Sequence, residues 1–413
     1  MKFIKSIHKY FIILIYFLLI SLIVYITYIV NSKEPINKKF RRDIKLIIKN
    51  NSINKNLLND YREEFLPNTQ FMKLNFKKIE LDFLKLNDCY FGKCYTFFLE
   101  KFRNNLILLE RNGKLKFIKF HDLDKKNINF IDIESNLNFD YVLDVLIDGD
   151  KIYISGKKEN SDNETVLEIV KAKFNTSNIK FENIISLRSE KCILRHAVHS
   201  GKMQIINDNE KKILLAVNSA GNVDQPDNIN LTKDSICGKT LLINPQTGKY
   251  DIFTSGHRNM IGLYADDKVI IGTEHGPFGG DEINKLEKDK IYGWPKASYG
   301  EKYSRNQSDD KNYYAKNHKS FGFEEPIFSF LPAIGISEII RLPNSFSDIW
   351  QDNFLLASLN AKYLYRIKFD QNFKKIIYYE PIFIGDRIRD LMYHNDEILL
   401  SLELEGSLGI LSK

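Results

Sequence analysis

Gly256–Tyr299 reads GHRNMIGLYADDKVIIGTEHGPFGGDEINKLEKDKIYGWPKASY. Much of the chain around it is plain Lys-, Asn- and Ile-rich sequence, whereas Gly, His, Asp, Glu, Arg, Trp and Pro crowd together here. Gly276, Gly279 and Gly280 lie around Pro277 and just before Asp281 and Glu282. Glycine permits turns and close backbone approaches that other residues resist. A tight loop of this composition presents carbonyl and carboxylate oxygens, the donors that a hard cation prefers. An ordered surface turn is the plainer reading of the same residues.

Inside the stretch, Asp266-Asp-Lys-Val-Ile-Ile-Gly is an acidic turn followed by an apolar strand. The form recurs in Asp148-Gly-Asp-Lys-Ile-Tyr-Ile-Ser, Asn209-Glu-Lys-Lys-Ile-Leu-Leu-Ala, Asp352-Asn-Phe-Leu-Leu-Ala-Ser and Asn395-Asp-Glu-Ile-Leu-Leu-Ser. Such units, from residue 70 onward, predict an all-β body. Their spacing suits four-stranded propeller blades, six of them at about 55 residues each, with a β-sandwich array as the alternative. Residues 70–413 are therefore expected to form a six-bladed β-propeller.

The N-terminus differs. Tyr10–Val30 is a run of 21 residues without a charge, long enough to cross a bilayer as a helix. It contains no Ala or Gly and ends Tyr-Ile-Val, unlike a cleaved signal peptide, whose core is shorter and ends in small residues. The expected organisation is a transmembrane anchor (1–31), a short helical membrane-proximal stalk (32–69) and the propeller (70–413). Lys33, Lys38, Lys39, Arg41 and Arg42 follow the span, so charge bias alone does not orient it. The large C-terminal body and the cysteines favour a periplasmic or extracellular propeller. Cys89 and Cys94 flank a plausible turn, and Cys192 and Cys237 supply a possible second disulfide, although spacing does not fix connectivity. The chain carries 60 basic and 53 acidic residues, a net charge of +7. The excess is spread along it, with no basic block interleaved with aromatics, so nucleic acid is not an expected partner.

The central stretch resembles the soluble PQQ-dependent sugar dehydrogenases, the glucose/sorbosone dehydrogenase family of six-bladed propellers. That family's text is GHRNPQGL, a strand, then TEHGPxGGDELNxIxxGxNYGWPxxxYG. Matching segments here are Gly256-His-Arg-Asn, Gly262-Leu263, Thr273-Glu-His-Gly-Pro, Gly279-Gly-Asp-Glu-Ile-Asn, Tyr292-Gly-Trp-Pro and Tyr299-Gly. Gly238-Lys-Thr-Leu-Leu-Ile-Asn-Pro-Gln-Thr-Gly is similar to the family's GKxLRIDPxTG. The resemblance implies that the carbonyls of Gly276 and Pro277 bind Ca2+, with Asp281 and Glu282 supporting the loop from behind. It implies that Arg258, Asn259 and His275 touch PQQ. Asp386-Arg-Ile-Arg-Asp resembles the family's RxRDV strand, which maps the arginines that reach the PQQ carboxylates onto Arg387 and Arg389. Alternate strand residues share a face, so both guanidiniums are expected to grip one polyanion. Taken singly, each arginine reads equally as a surface ion pair.

Departures concern the chemistry. The family's base lies in H-x-G-G-R-L, where it takes the sugar hydroxyl proton as hydride passes to the quinone. The corresponding text is Arg195-His-Ala-Val-His-Ser-Gly-Lys-Met. Aligned on Ser200-Gly201-Lys202-Met203, it puts Val198 at the base position and His199 one place late, which on a strand is the opposite face. His199 is the candidate base, by way of a bulge, and His196 is the alternative. The family's SLK lysine reads Asn360, with Lys362 two residues later on the same face. Phe330 stands for a Trp near PQQ, and Met260-Ile261 for Pro-Gln.

The implied activity is membrane-anchored, PQQ- and Ca2+-dependent oxidation of an aldose or related alcohol. Electrons would pass to a quinone pool or a cytochrome. The alternative is a catalytically inactive, Ca2+-stabilised propeller that binds a glycan or protein. A hydrolase is weaker still, because no GxSxG-type nucleophile pattern is present.

Overall fold

The computed structural model describes residues 72–413 except 90–91, 126, 160–163, 189–199, 209, 220–230, 232, 234 and 302–314. The Tyr10–Val30 run, the stalk, and His196 and His199 lie outside the described residues. Among those described, no helix is long and apolar enough to cross a membrane, and helix is limited to single 3-10 turns.

After β1 (Asn75–Glu80) and a hairpin of β2 (Asn87–Cys89) and β3 (Gly92–Cys94), the chain winds through six antiparallel four-stranded blades. Blade 1 is β4 (Phe97–Phe102), β5 (Asn105–Glu110), β6 (Leu115–Lys119) and β7 (Ile131–Ser135). Blade 2 is β8 (Tyr141–Asp148), β9 (Lys151–Glu159), β10 (Thr165–Lys173) and, after the short β11 (Asn178–Ile179), β12 (Glu182–Leu187). The parallel pairing of β11 with β7 ties blade 2 to blade 1. Blade 3 is β13 (Met203–Asp208), β14 (Glu210–Val217), β15 (Lys239–Ile243) and β16 (Tyr250–Ser255). Blade 4 is β17 (Met260–Ala265), β18 (Ile270–Glu274), β19 (Asp281–Lys285) and β20 (Phe328–Phe330). Blade 5 is β21 (Ile336–Arg341), β22 (Asn353–Ser358), β23 (Tyr363–Phe369) and β24 (Ile376–Phe383). Blade 6 is β25 (Ile388–His394), β26 (Glu397–Leu402), β27 (Ser407–Ser412) and β1, which enters as its outer strand. The β1–β27 register runs from Asn75 opposite Ser412 to Glu80 opposite Ser407, so the first and last strands described close the ring together.

The innermost strands β4, β8, β13, β17, β21 and β25 touch their neighbours in a complete circuit. Six separate apolar clusters fill the six spaces between blades. A strand covered on both faces needs an apolar run rather than alternation. That explains the five recurrent turn-strand units, which are the turns into β9, β14, β18, β22 and β26, the second strand of blades 2 to 6. Each fully buried Leu or Ile of such a run contributes about 1.5–3 kcal/mol. Phe330, expected beside the cofactor, belongs instead to the cluster between blades 4 and 5, packed on Tyr365 at a centroid distance of 5.6 Å. Its backbone still borders the Gly276–Gly280 loop, since Phe330 pairs with Asp281 and its carbonyl accepts the Gly280 N–H at 2.9 Å, but its ring packs into the core. Cys94 and Cys237 each take part in a disulfide.

Strand pairing shifts by a bulge near the start of β8, β17, β21 and β25. A bulge re-aims the side chain it carries. On β8, β21 and β25 the buried Asp144, Glu338 and Asp390 fall at these shifts, and all three carboxylates meet the Lys202 ammonium. Its Nζ is 2.8 Å from Asp144 Oδ1, 3.3 Å from Asp390 Oδ1 and paired with Glu338. One lysine thus joins blades 2, 3, 5 and 6 across the ring.

Candidate functional site

The predicted site residues gather at the end of the ring where the innermost strands begin. Arg258 and Asn259 precede β17, His275 follows β18, Asp281 opens β19, Lys362 precedes β23, and Arg387 and Arg389 flank the start of β25. Sequence distance disappears because every second turn of every blade emerges at this end.

A buried polar chain fixes the Gly256–Asn259 turn. Thr254 Oγ1 lies 2.7 Å from His257 Nε2, and His257 Nδ1 lies 3.0 Å from Glu274 Oε1. Glu274 Oε2 accepts the Arg258 N–H at 2.8 Å, and Asn284 Nδ2 donates to Oε1 at 2.8 Å. Burial pushes the Glu274 carboxyl up, but His257 and these donors outweigh it and hold it below its ordinary value. The backbone is pinned as well, since the Ser219 N–H and hydroxyl donate to the Arg258 and His257 carbonyls at 2.8 and 2.7 Å. Arg258 reaches from this frame over the Trp294 ring, 5.3 Å from its centroid, and donates from Nη1 to the His275 carbonyl at 3.1 Å.

His275 is bonded through Nε2 to the Ile336 carbonyl at 2.7 Å. A carbonyl only accepts, so Nε2 carries the proton and Nδ1 the lone pair. Burial comes first among the causes that hold its pKa below the ordinary imidazole value, and Arg258 and Arg389 add to it against the pull of Asp281. Asp281 accepts the Gly276 N–H at 3.1 Å and the Ile336 N–H at 3.0 Å, so one carboxylate fastens the Gly276–Gly280 loop to blade 5. Glu282, the next residue on β19 and so on its opposite face, points elsewhere. It meets Asn284 Nδ2 at 3.3 Å and lies 3.8 Å from His318 Nε2. Burial, then Glu274, raises its carboxyl well above the usual range. Asp281 alone of the two supports the loop directly.

The loop itself is rich in backbone oxygen. A Cβ on Gly276 would sit 2.2 Å from the Gly279 oxygen and 2.3 Å from that of Gly280, so no other residue fits there. Among the described residues no backbone N–H donates to the Gly276 or Pro277 carbonyl. Carbonyls left without donors are the neutral ligands that suit Ca2+. Among the described residues no cluster of three or more His, Cys, Asp and Glu side chains is arranged for a metal. The crevice between Arg258, Glu274, His275 and Trp294 has a free volume of about 10 Å3, room for about one water.

Across the ring, Arg389 Nε donates to Glu403 Oε1 at 2.6 Å and Arg387 Nε to Oε2 at 3.3 Å. The two guanidiniums do share a partner, as alternation requires, but the partner is a carboxylate of this chain. Lys362 sits in the turn before β23 with φ +64, a left-handed position, and its backbone carbonyl accepts the Ile384 and Gly385 N–H groups.

Three further cations stand at the same end on blades 1 to 3, and motif reading missed them. Arg111 lies over Tyr141 at 4.4 Å. Lys157 donates to Asn218 Oδ1 at 3.1 Å, next to the Ser219 that holds Arg258. Lys239 donates to the Cys237 carbonyl at 3.1 Å. Burial, aided for Lys157 by Arg111, pushes Lys157 down to about 7; burial pushes Lys239 down to about 8. For Lys157 the available signal was a lysine amid a buried apolar strand, for Lys239 its place in the Gly238-Lys-Thr motif, and Arg111, just beyond β5, gave none.

The pattern of the glucose/sorbosone dehydrogenases matches residues 97–411, nearly the whole ring. The chain belongs to that family. The aldose sugar dehydrogenase YliI of Escherichia coli K12 is 30% identical over 169 residues, 40% of this chain and 44% of YliI. The chain spans less than half the length of the curated relatives it matches. Among solved glucose/sorbosone dehydrogenase-like folds, the soluble E. coli aldose sugar dehydrogenase in its apo form superposes with a TM-score of 0.65 at 18% identity, over 82% of this chain and 99% of that one. The PQQ-bound aldose sugar dehydrogenase of Streptomyces coelicolor gives 0.55 at 15% identity, over 82% and 98%. These likenesses establish the shared propeller.

Proposed function

We propose that the protein oxidises an aldose sugar or related alcohol with PQQ and Ca2+. The observation that carries this reading is the Gly276–Gly280 loop, fastened by Asp281 beside Arg258 and His275, with no backbone N–H among the described residues donating to the Gly276 or Pro277 carbonyl. Family membership supports it, as does the PQQ-bound state of one related structure. When bound, the quinone supplies a two-electron acceptor for hydride, polarised by the metal. Gly276 and Pro277 would hold the Ca2+, with Asp281 fixing their loop. Arg258, Asn259, His275 and Lys362 would line the cofactor, and Arg387 and Arg389 would take its carboxylates. His199, or else His196, would accept the proton of the sugar hydroxyl as the neighbouring C–H leaves as hydride.

The rest of the reading concerns placement. Residues 1–31 anchor the chain, 32–69 space it, and 70–413 work outside the cytoplasm, passing electrons to a membrane quinone or a cytochrome. There Cys89–Cys94 and Cys192–Cys237 would pair. The competing reading, an inactive Ca2+-stabilised propeller that binds a glycan or protein, is favoured by Val198 at the family's base position and Asn360 at its lysine position.

Full-length protein purified in detergent is expected to bind PQQ in the presence of Ca2+ and to reduce a dye when an aldose is added. Absence of PQQ binding by calorimetry would sink the dehydrogenase reading. Binding without turnover on any aldose would favour the inactive propeller.

A further inference from the structure

Glu403 is fully buried just beyond β26, and five contacts hold it. Oε1 accepts from Arg389 Nε at 2.6 Å and from the Thr96 hydroxyl at 2.8 Å, while Oε2 accepts from Arg387 Nε at 3.3 Å. Its own N–H donates to the Arg387 carbonyl at 2.9 Å, and its carbonyl accepts the Tyr95 N–H at 2.8 Å. Burial raises this carboxyl, but Arg389 and Arg387 more than compensate and keep it ionised. Both guanidiniums are therefore held by Nε. A guanidinium has five N–H donors in a planar fork. Among the described residues, neither Arg387 nor Arg389 uses an Nη nitrogen in a hydrogen bond. Two cations against one anion leave this corner positive.

We infer that Glu403 is a positioning residue that presents the Nη groups of Arg387 and Arg389 as one unit to a carboxylate-bearing ligand. This rests on the dehydrogenase reading above and deepens it. A counter-ion whose only task is to hold the ring shut needs one arginine. Here a single carboxylate orients two, is itself fixed by Thr96 of the adjoining stretch before β4, and so sets the direction in which both forks point. Losing that orientation costs ligand affinity even when the fold survives.

The test uses PQQ as probe on the full-length protein with Ca2+, reading the dissociation constant by titration and the unfolding midpoint by thermal melt. Glu403→Gln and Arg389→Lys are each expected to weaken PQQ about tenfold, the size of one charge-assisted hydrogen bond. The double variant is expected to stay near tenfold, because both changes disable one unit. Wild-type affinity in Glu403→Gln, or a double variant weakened about a hundredfold, overturns the inference while leaving the quinone reading intact. Failure of the unaltered protein to bind PQQ overturns both. If Glu403→Gln does not fold, Thr96→Val removes only the hydroxyl that braces Oε1 and is expected to weaken PQQ about threefold. Unchanged affinity there also counts against the inference.

Discussion

The open end of the ring and its axis are both built from buried charge, with opposite balance. At the Glu403 corner of the open end cations are in excess, since Arg387 and Arg389 share one carboxylate. On the axis carboxylates are in excess, since Asp144, Glu338 and Asp390 share one Lys202. Unpaired charge inside a protein is expensive. A cationic excess facing an opening can be relieved by an anionic ligand. An anionic excess sealed between blades can be relieved only by protons or by the lysine already there. The same device serves recognition at the mouth and closure at the centre.

Lys202→Met breaks the axial half of that contrast. It leaves three buried carboxylates without their cation, and the expected loss is about 3–5 kcal/mol of stability, read from urea unfolding. A loss below about 1 kcal/mol would mean that the lysine does not hold the blades together. Next in size is Gly276→Ala, which breaks the mouth. The added Cβ meets two backbone oxygens that cannot step aside, a strain of about 1–3 kcal/mol. Its signature is loss of any Ca2+-induced rise in the melting temperature. A variant that keeps the full calcium response would remove Gly276 from the metal loop.

The smallest effect is a pH dependence. Burial, reinforced by neighbouring carboxylates and opposed by Lys202, raises Asp144 to about 6 and Glu338 to about 7. Burial likewise raises Glu100, beside them on β4, to about 8. In the unfolded chain these groups lose their protons near their ordinary values of 3.8 and 4.5. From about pH 5 to 7 the folded state therefore holds more protons, and their contribution to stability falls as pH rises. Buried neutral His275 and His318 pull the opposite way over part of this range, and Lys157 does so above about 7. The difference between unaltered protein and Glu338→Gln isolates the acidic term. It should shrink from pH 5 to pH 7, and a constant difference in urea midpoint would contradict a protonated axis.

Much of the ring was legible because its second strands are covered on both faces. Asp266–Gly272 and its four relatives advertise this with a turn and a solid apolar run. Blade 1 escaped notice, since Arg103-Asn-Asn leads into β5 without an acidic residue. The Gly256–Tyr299 loop was legible because backbone-driven sites demand fixed residues such as Gly276. Glu403 and Lys202 were not, since a buried carboxylate or lysine looks like surface charge until topology brings in its partners, such as Asp144 and Asp390, which are 58 and 188 residues from Lys202. The roles of Asp281 and Glu282 could not be separated by adjacency alone, because neighbours on a strand face opposite sides.

The pairing of β1 with β27 also sets an order of events. Until Ser407–Ser412 has left the ribosome, blade 6 lacks two of its four strands, and its edges invite pairing with other chains. The ring is therefore completed only once β27 has emerged. Loss of Ser407–Ser412 removes the partner of the first strand as well, so that one small deletion undoes both ends of the ring.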